Sequence, residues 1–192
     1  MSKAAKITLS LLITVLIIMI ASIAYITKKN EQYRLASDKC WAYIDNGLYD
    51  KAVEYINLAG NKENQLIYDC LGEAYYNLGN LQLALYNFKK AEELQDNIFT
   101  AYYSPSLNIH IYSRIAEIMH QKGYYDDAIR YYHKALKEMM NNRKVRARYK
   151  ADYVNMLREI AKIYDEKGDK EKAKEYYDKA DRLANKFKLI KD

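Results

Sequence analysis

The stretch CLGEAYYNLGNLQLALYNFKKA, residues 70–91, alternates small residues with large apolar ones at helical spacing. Its seven defining positions are Leu71, Gly72, Tyr75, Gly79, Ala84, Phe88 and Ala91. Two helices can approach closely where the side chains are small, and the rings then fill the space beside that contact. Gly79 can end the first helix in a left-handed conformation, and Asn80 can cap the second. The stretch therefore predicts an antiparallel helical hairpin.

The same seven positions recur three more times along the chain. The copies are Lys39, Cys40, Tyr43, Gly47, Ala52, Ile56 and Ala59; Ile115, Ala116, Met119, Gly123, Ala128, Tyr132 and Ala135; and Ile160, Ala161, Tyr164, Gly168, Ala173, Tyr177 and Ala180. Only Lys39 clearly violates its position. Because one hairpin cannot bury its apolar face alone, the recurrence predicts hairpins stacked into a solenoid.

This pattern resembles the tetratricopeptide repeat, in which W-x2-L-G-x2-Y marks the first helix and A-x3-F-x2-A the second. The resemblance covers residues 33–187 and implies an all-α solenoid of four repeats, the first of them divergent. The repeats are predicted at residues 33–64, 65–98, 109–142 and 154–187. The chain departs from the family in lacking the usual Pro at the repeat end. Tyr68, Tyr112 and Leu157 take the usual Trp position, and Ala36 takes it in the first repeat.

The intervals between repeats exceed the family's usual length in two places. Before the third repeat, Ser104-Pro105 reads as a cap followed by Pro at the first helical position, which predicts a helix start at residue 105. Before the fourth repeat, NNRKVRARYKADY (residues 141–153) has neither Pro nor Gly. We interpret both intervals as lengthened helices.

The N-terminal residues differ in composition from the repeats. A short basic head, residues 1–6, precedes an uncharged stretch at residues 7–27, and KKNEQ (residues 28–32) reads as a linker. Twenty-one helical residues span about 30 Å, the thickness of the bilayer's hydrocarbon core. The stretch predicts a single transmembrane helix or an uncleaved signal anchor. Cleavage after Ala24 is the alternative, and Lys residues on both flanks leave the orientation open.

The resemblance implies that the first helices of the repeats line a concave groove for a peptide or a partner helix. The predicted groove residues are Trp41, Asp69, Glu73, Tyr76, Asn77, His110, Glu117, His120, Arg158 and Lys162. Chaperone-binding members of the family hold a terminal carboxylate with Lys, Asn and Arg. The corresponding positions here are Ser37, Trp41, Cys70, His110 and Arg114, of which only Arg114 matches. The sequence therefore argues against a chaperone-tail clamp.

Charge is distributed unevenly over the chain. Residues 143–192 contain 16 Lys or Arg against 10 Asp or Glu, and RKVRARYK (residues 143–150) is the densest basic run. Arg143, Lys144, Arg146 and Arg148 are candidates for contact with an anionic surface, although a solvated helix end is the simpler and favoured explanation. Base-stacking aromatics and a nucleic-acid fold are not apparent, so the sequence argues against nucleic acid.

The sequence predicts neither an enzyme nor a cofactor or metal site. It has no Gly-rich phosphate loop, no His-Glu-x-x-His and no Cys-x-x-Cys. Glu117 and His120 stand one helical turn apart, but one such pair is more often a surface contact. Cys40 and Cys70 lie 30 residues apart, and the pattern does not show their positions to face each other. Cys40 takes the buried small-residue position, where a free thiol packs like a small hydrophobe. A disulfide would matter only in an exported domain, so the redox state of the two cysteines stays open.

Together these features predict a membrane-tethered interaction module whose groove binds a protein partner, itself membrane-associated. An alternative is a structural subunit that assembles through the solenoid ends and the anchor, with Phe187, Leu189 and Ile190 exposed at one end. Another is an exported soluble protein formed by signal cleavage. Homo-oligomerisation stays open, as does the side of the membrane on which the repeats lie.

Overall fold

A computed structural model describes residues 2–59, 64–95, 104–141 and 143–187. Over these residues the chain is all-helical, as the repeat pattern predicts. The helices are α1 (Lys3–Asp45), α2 (Tyr49–Ala59), α3 (Gln65–Asn77), α4 (Leu81–Glu93), α5 (Pro105–Gln121), α6 (Tyr125–Asn141), α7 (Arg143–Arg148), α8 (Lys150–Glu166) and α9 (Lys170–Phe187). The C-terminal part of α1 pairs with α2, and α3/α4, α5/α6 and α8/α9 form the other hairpins.

The hairpin contact has the geometry that the spacing predicts. A Cβ atom added to Gly72 in α3 would lie 2.7 Å from the ring of Phe88 in α4, so only glycine permits this approach. The shared turn glycines all have positive φ, between 70° and 82°: Gly47, Gly79, Gly123 and Gly168. The Asn80 side chain accepts a hydrogen bond from the Leu83 backbone N–H at 3.1 Å, which caps α4.

The predicted start of α5 is confirmed, and the predicted lengthened helix before the fourth repeat is confirmed in part. Helix α5 begins at Pro105 after Ser104, as expected. The interval before the fourth repeat is helical but broken, because α6 runs to Asn141, α7 is a separate short helix, and α8 begins at Lys150. The interval at residues 96–103 lies outside the described residues.

The predicted linker at residues 28–32 is wrong. Helix α1 passes through it without interruption, so the apolar segment and the first helix of the first repeat are one 43-residue helix. KKNEQ contains no Gly or Pro to end a helix, and Lys, Glu and Gln are good helix formers. Side chains of the apolar segment are exposed, for example Leu12 at 67% and Ile17 at 60%. Among the described helices, only α1 is long and apolar enough to cross a membrane.

The buried side chains form two clusters. The smaller one, the N-terminal core, contains nine residues from α1, α2 and α3: Tyr33, Cys40, Ile44, Ala52, Ile56, Ile67, Cys70, Leu71 and Ala74. The larger one, the C-terminal core, runs from Ala84 in α4 to Ala184 in α9 and contains 23 buried residues. Tyr75 packs against both clusters.

Cys40 and Cys70 are joined by a disulfide, with their Cα atoms 6.4 Å apart. The sequence leaves the redox state of these two cysteines open, and the structure pairs them. The repeat pattern aligns residues within one hairpin and does not report which positions meet between hairpins. Cys70 stands two residues before Gly72, about 200° around the helix, and so lies on the opposite side of α3 from the contact with α4.

Candidate functional site

Five charged side chains form a connected cluster where the groove passes from the second repeat to the third. This α3–α5 charge cluster consists of Asp69, Glu73, His110, Arg114 and Glu117. Asp69 Oδ1 lies 2.9 Å from His110 Nδ1, and Glu73 Oε2 lies 3.3 Å from His110 Nε2. Both ring nitrogens of His110 thus face carboxylates, which is the arrangement of a charged imidazolium.

Arg114 completes the cluster through a bidentate pair with Glu73. Its Nε and Nη2 donate to the two Glu73 oxygens at 2.8 and 2.6 Å, and its Nη1 donates to Glu117 at 2.7 Å. Such planar pairs are stronger and more directional than a single contact. The cluster therefore fixes α5 against α3 on the groove side.

Burial and close charged partners together shift the pKa values of Glu73 and His110. Burial by itself raises the pKa of Glu73, but the hydrogen bond from His110 and the charge of Arg114 outweigh it and lower that pKa to about 2. Burial opposes the charged form of His110, but the charge and hydrogen bond of Asp69 and the contact with Glu73 raise its pKa to about 10. Around neutral pH Glu73 is therefore a carboxylate and His110 a cation, and the two face each other within the cluster.

The remaining groove residues of the first two repeats pack around this cluster. The Trp41 ring meets the His110 ring edge-on at 5.6 Å between centroids. Arg114 stacks over the Tyr76 ring at 4.7 Å, and the Asn77 amide donates to the Glu73 carboxylate at 3.1 Å. Asp69 and Glu73 are only 2% and 5% exposed. Their partners His110 and Arg114 on α5 cover these two carboxylates.

An open cleft of about 1100 Å³ lies further along the groove, between α5 and α8. Five of the predicted groove residues line it: His110, Glu117, His120, Arg158 and Lys162. The other five, which are Trp41, Asp69, Glu73, Tyr76 and Asn77, do not. The structure thus divides the predicted groove into a closed part and an open part.

Some polar groups of the cleft are already paired within the chain. His120 Nε2 lies 2.8 Å from Glu166 Oε2, which ties the C-terminal ends of α5 and α8 together. Arg158 pairs with Asp181 on α9 at 3.0 Å. By contrast, Asp152, Glu159 and Lys162 have no hydrogen-bond or ion-pair partner among the described residues. These three side chains are available to a ligand.

Sequence reasoning missed the apolar and aromatic lining of the cleft. The additional lining residues are Ser106, Ile109, Ser113, Arg114, Gln121, Gly123, Tyr125, Tyr132, Tyr149, Asp152, Asn155, Met156, Glu159 and Glu166. Tyr132 is buried beneath it, and burial together with the charges of Glu117 and Glu159 raises the pKa of its phenol. The one available signal was the 3–4-residue spacing of Asp152, Asn155, Glu159 and Lys162 along α8. That face begins before the predicted repeat start at residue 154.

The basic run is helical at α7, which joins α6 to α8. Arg148 is exposed. The side chains of Arg143, Lys144 and Arg146 lie outside the described residues, so the contact with an anionic surface stays a prediction. Within the described part of the chain, no group of three or more His, Cys, Asp or Glu side chains is arranged to hold a metal ion.

Comparison with known proteins supports the repeat assignment. Models of the tetratricopeptide repeat match residues 111–147 and 157–187. The curated "TPR repeat-containing protein MJ1428" of Methanocaldococcus jannaschii is 29% identical over an alignment of 149 positions, and the match covers 64% of this chain. The chain spans about a quarter of that protein's length, since the match covers 26% of it.

Three solved structures share the solenoid fold at low sequence identity. A crystal structure of MamA matches with a TM-score of 0.64 and 19% identity, covering 82% of this chain and 81% of MamA. BtubC from P. vanneervenii matches at 0.68 and 19%, covering 83% and 66%. The Cut9–Hcn1 hetero-tetramer of the APC/C matches at 0.64 and 17%, covering 80% and 27%. These structures show the fold, and the two repeat matches assign residues 111–147 and 157–187 to the tetratricopeptide repeat.

Proposed function

We propose that this protein is a membrane-tethered interaction module that binds an extended segment or a helix of a protein partner between α5 and α8. The observation that carries the proposal is the open cleft of about 1100 Å³ on the groove side of the third and fourth repeats. Its size suits several residues of a peptide. Its lining combines apolar anchors such as Met156 and Ile109 with a few polar groups.

The charges of the cleft support a polar partner segment. Asp152 and Glu159 lie two turns apart on α8, and Lys162 follows one turn beyond. All three lack hydrogen-bond and ion-pair partners among the described residues, whereas the charged side chains of the α3–α5 cluster are paired with one another. Binding through the α3–α5 cluster would first have to break those buried pairs, which is costly. The proposed contact residues are therefore Asp152, Glu159 and Lys162, with His110, Glu117, His120 and Arg158 at the margins.

The tether is proposed from α1. Its exposed apolar segment matches the thickness of a bilayer, and the helix continues directly into the first repeat. Tethering confines the module to the membrane surface and raises the effective concentration of a partner held there.

The experiment is photo-crosslinking from Asn155, an exposed cleft residue, in native membranes. The wild type is compared with Asp152→Lys plus Glu159→Lys, and with the control Glu175→Lys plus Asp178→Lys on the exposed face of α9. Both variants change the net charge equally. We expect a discrete crosslinked partner with the wild type and the control, and its loss with the cleft variant. Equal capture by all three chains contradicts the cleft assignment, and so does equal loss from both variants.

A further inference from the structure

The disulfide between Cys40 and Cys70 connects the anchor helix to the second repeat. Cys40 lies in α1 and Cys70 in α3, and both are completely buried in the N-terminal core. The chain has two cysteines in total, so this bond uses both of them. Both cysteines belong to the same buried cluster as Ile44, Ile56 and Ile67, so the bond is closed off from solvent.

A buried structural disulfide indicates the compartment in which the domain matures. Such bonds persist in exported domains and are rare where thiol reductants keep cysteines reduced. Closing the bond takes one proton and one electron from each thiol. The two electrons pass by thiol–disulfide exchange to the disulfide of an oxidising protein, which is reduced to two thiols. A domain that matures in this way lies on the oxidising side of the membrane.

The other topological signal does not choose a side. Lys3 and Lys6 precede the apolar segment, while Lys28 and Lys29 follow it, so the flanking charges nearly balance. The continuity of α1 does restrict the arrangement. Tyr33, the first residue of the N-terminal core, lies six residues beyond Thr27, or about 9 Å along the helix axis. The repeats therefore begin directly at the membrane surface on the C-terminal side of the span.

We infer that the repeats lie outside the cytosol, with the basic head inside. The cleft between α5 and α8 then serves an extracytoplasmic partner, either a secreted protein or the outward-facing part of a membrane protein. This inference rests on the anchoring and cleft binding proposed above. It adds the side of the membrane and the class of partner, neither of which follows from the repeat pattern.

The test uses the full-length chain with a C-terminal epitope tag in spheroplasts. A membrane-impermeant protease is added, and in parallel the denatured protein is treated with a polymer-linked maleimide before and after reduction. We expect the protease to digest the tagged repeats while a cytosolic marker stays intact. We also expect no maleimide addition without reductant and two additions after it. The Cys40→Ser variant controls for reagent access, because its single thiol should react without reductant.

Two results would overturn the inference: protection of the repeats until the spheroplasts are lysed, or two maleimide additions without reductant in most molecules. If the disulfide is present but the repeats are protected from the protease, the first of these results applies and the module lies in the cytosol. Failure of the anchor is recognised separately, since an alkaline carbonate wash would then release a chain shortened by about 24 residues. Failure of cleft binding is recognised by the Asn155 crosslinks and leaves the protease result unchanged.

Discussion

The N-terminal and C-terminal cores are stabilised in different ways. The N-terminal core contains nine buried residues and is supplemented by a disulfide and, at its groove side, by the α3–α5 charge cluster. The C-terminal core contains 23 buried residues and has no covalent link among its described residues. A small core buries too little apolar surface to stand alone, so it needs such supplements. The larger core can leave polar groups of the groove open for a ligand.

The largest expected effect distinguishes a buried carboxylate from an open one. Glu73→Lys removes the counter-charge of His110 and Arg114 and buries a third cation among them. We expect it to lower the free energy of unfolding by about 3–5 kcal/mol. Glu159→Lys makes the same change in the open cleft and should cost about 0.5 kcal/mol or less. Urea unfolding of both full-length variants in detergent, followed by circular dichroism, measures the difference.

Equal losses of stability in the two variants would show that the two parts of the groove do not differ in burial. A large loss in Glu159→Lys alone would assign the structural role to the cleft and leave it unsuited to binding.

The next effect concerns the disulfide. Cys40→Ser plus Cys70→Ser opens a loop of 30 residues, and we expect the free energy of unfolding to fall by roughly 3–4 kcal/mol. Because the bond lies wholly in the N-terminal core, the loss should be concentrated there. Amide hydrogen exchange should accelerate in α3, which contains Cys70, and much less in α8. Uniform acceleration in both helices would mean that the two cores unfold as one unit.

The smallest effect is a pH dependence carried by His110. Its folded pKa, about 10, exceeds the usual value of 6.5, so its stabilising contribution is complete below pH 6.5 and is lost as the pH rises towards 10. We expect the free energy of unfolding to fall as the pH rises through that window. Glu73 has the opposite sign, because its pKa is lowered to about 2, and its contribution disappears as the pH falls from 4.5 towards 2.

Chemical denaturation at several pH values, with His110→Gln as the comparison, measures the slope. The variant should be less stable at pH 6 but nearly independent of pH between 6.5 and 10. Identical slopes for the variant and the wild type would show that His110 is not held as a cation by Asp69 and Glu73.

The repeat architecture could be predicted from the sequence because its signals are local. Gly72 and Phe88 lie within one hairpin, and their spacing already implies the close contact that the structure shows. The helix start at Pro105 follows in the same way from the two residues Ser104 and Pro105. The predicted linker failed for a related reason, since apolar and charged residues that differ in composition can still share one uninterrupted helix.

The candidate site could be predicted only in part. Five of the residues that the pattern predicts for the groove line the cleft between α5 and α8: His110, Glu117, His120, Arg158 and Lys162. The pattern did not reveal that Asp69 and Glu73 are covered, because exposure depends on the partner residues of the next repeat. Asp152, at the start of α8, was missed because that helix begins four residues before the predicted repeat boundary.

The sequence by itself determined the hairpins, the turn glycines and the apolar N-terminal segment, because each depends on residues within one hairpin or one continuous stretch of chain. Only the tertiary structure decided that Cys40 meets Cys70, that Glu73 pairs with His110 and Arg114, and that Asp152, Glu159 and Lys162 stay open. The disulfide and the ion pairs join residues 30 to 41 positions apart in neighbouring repeats. Their distances are set by how one hairpin stacks on the next, and the spacing within a hairpin does not encode that geometry.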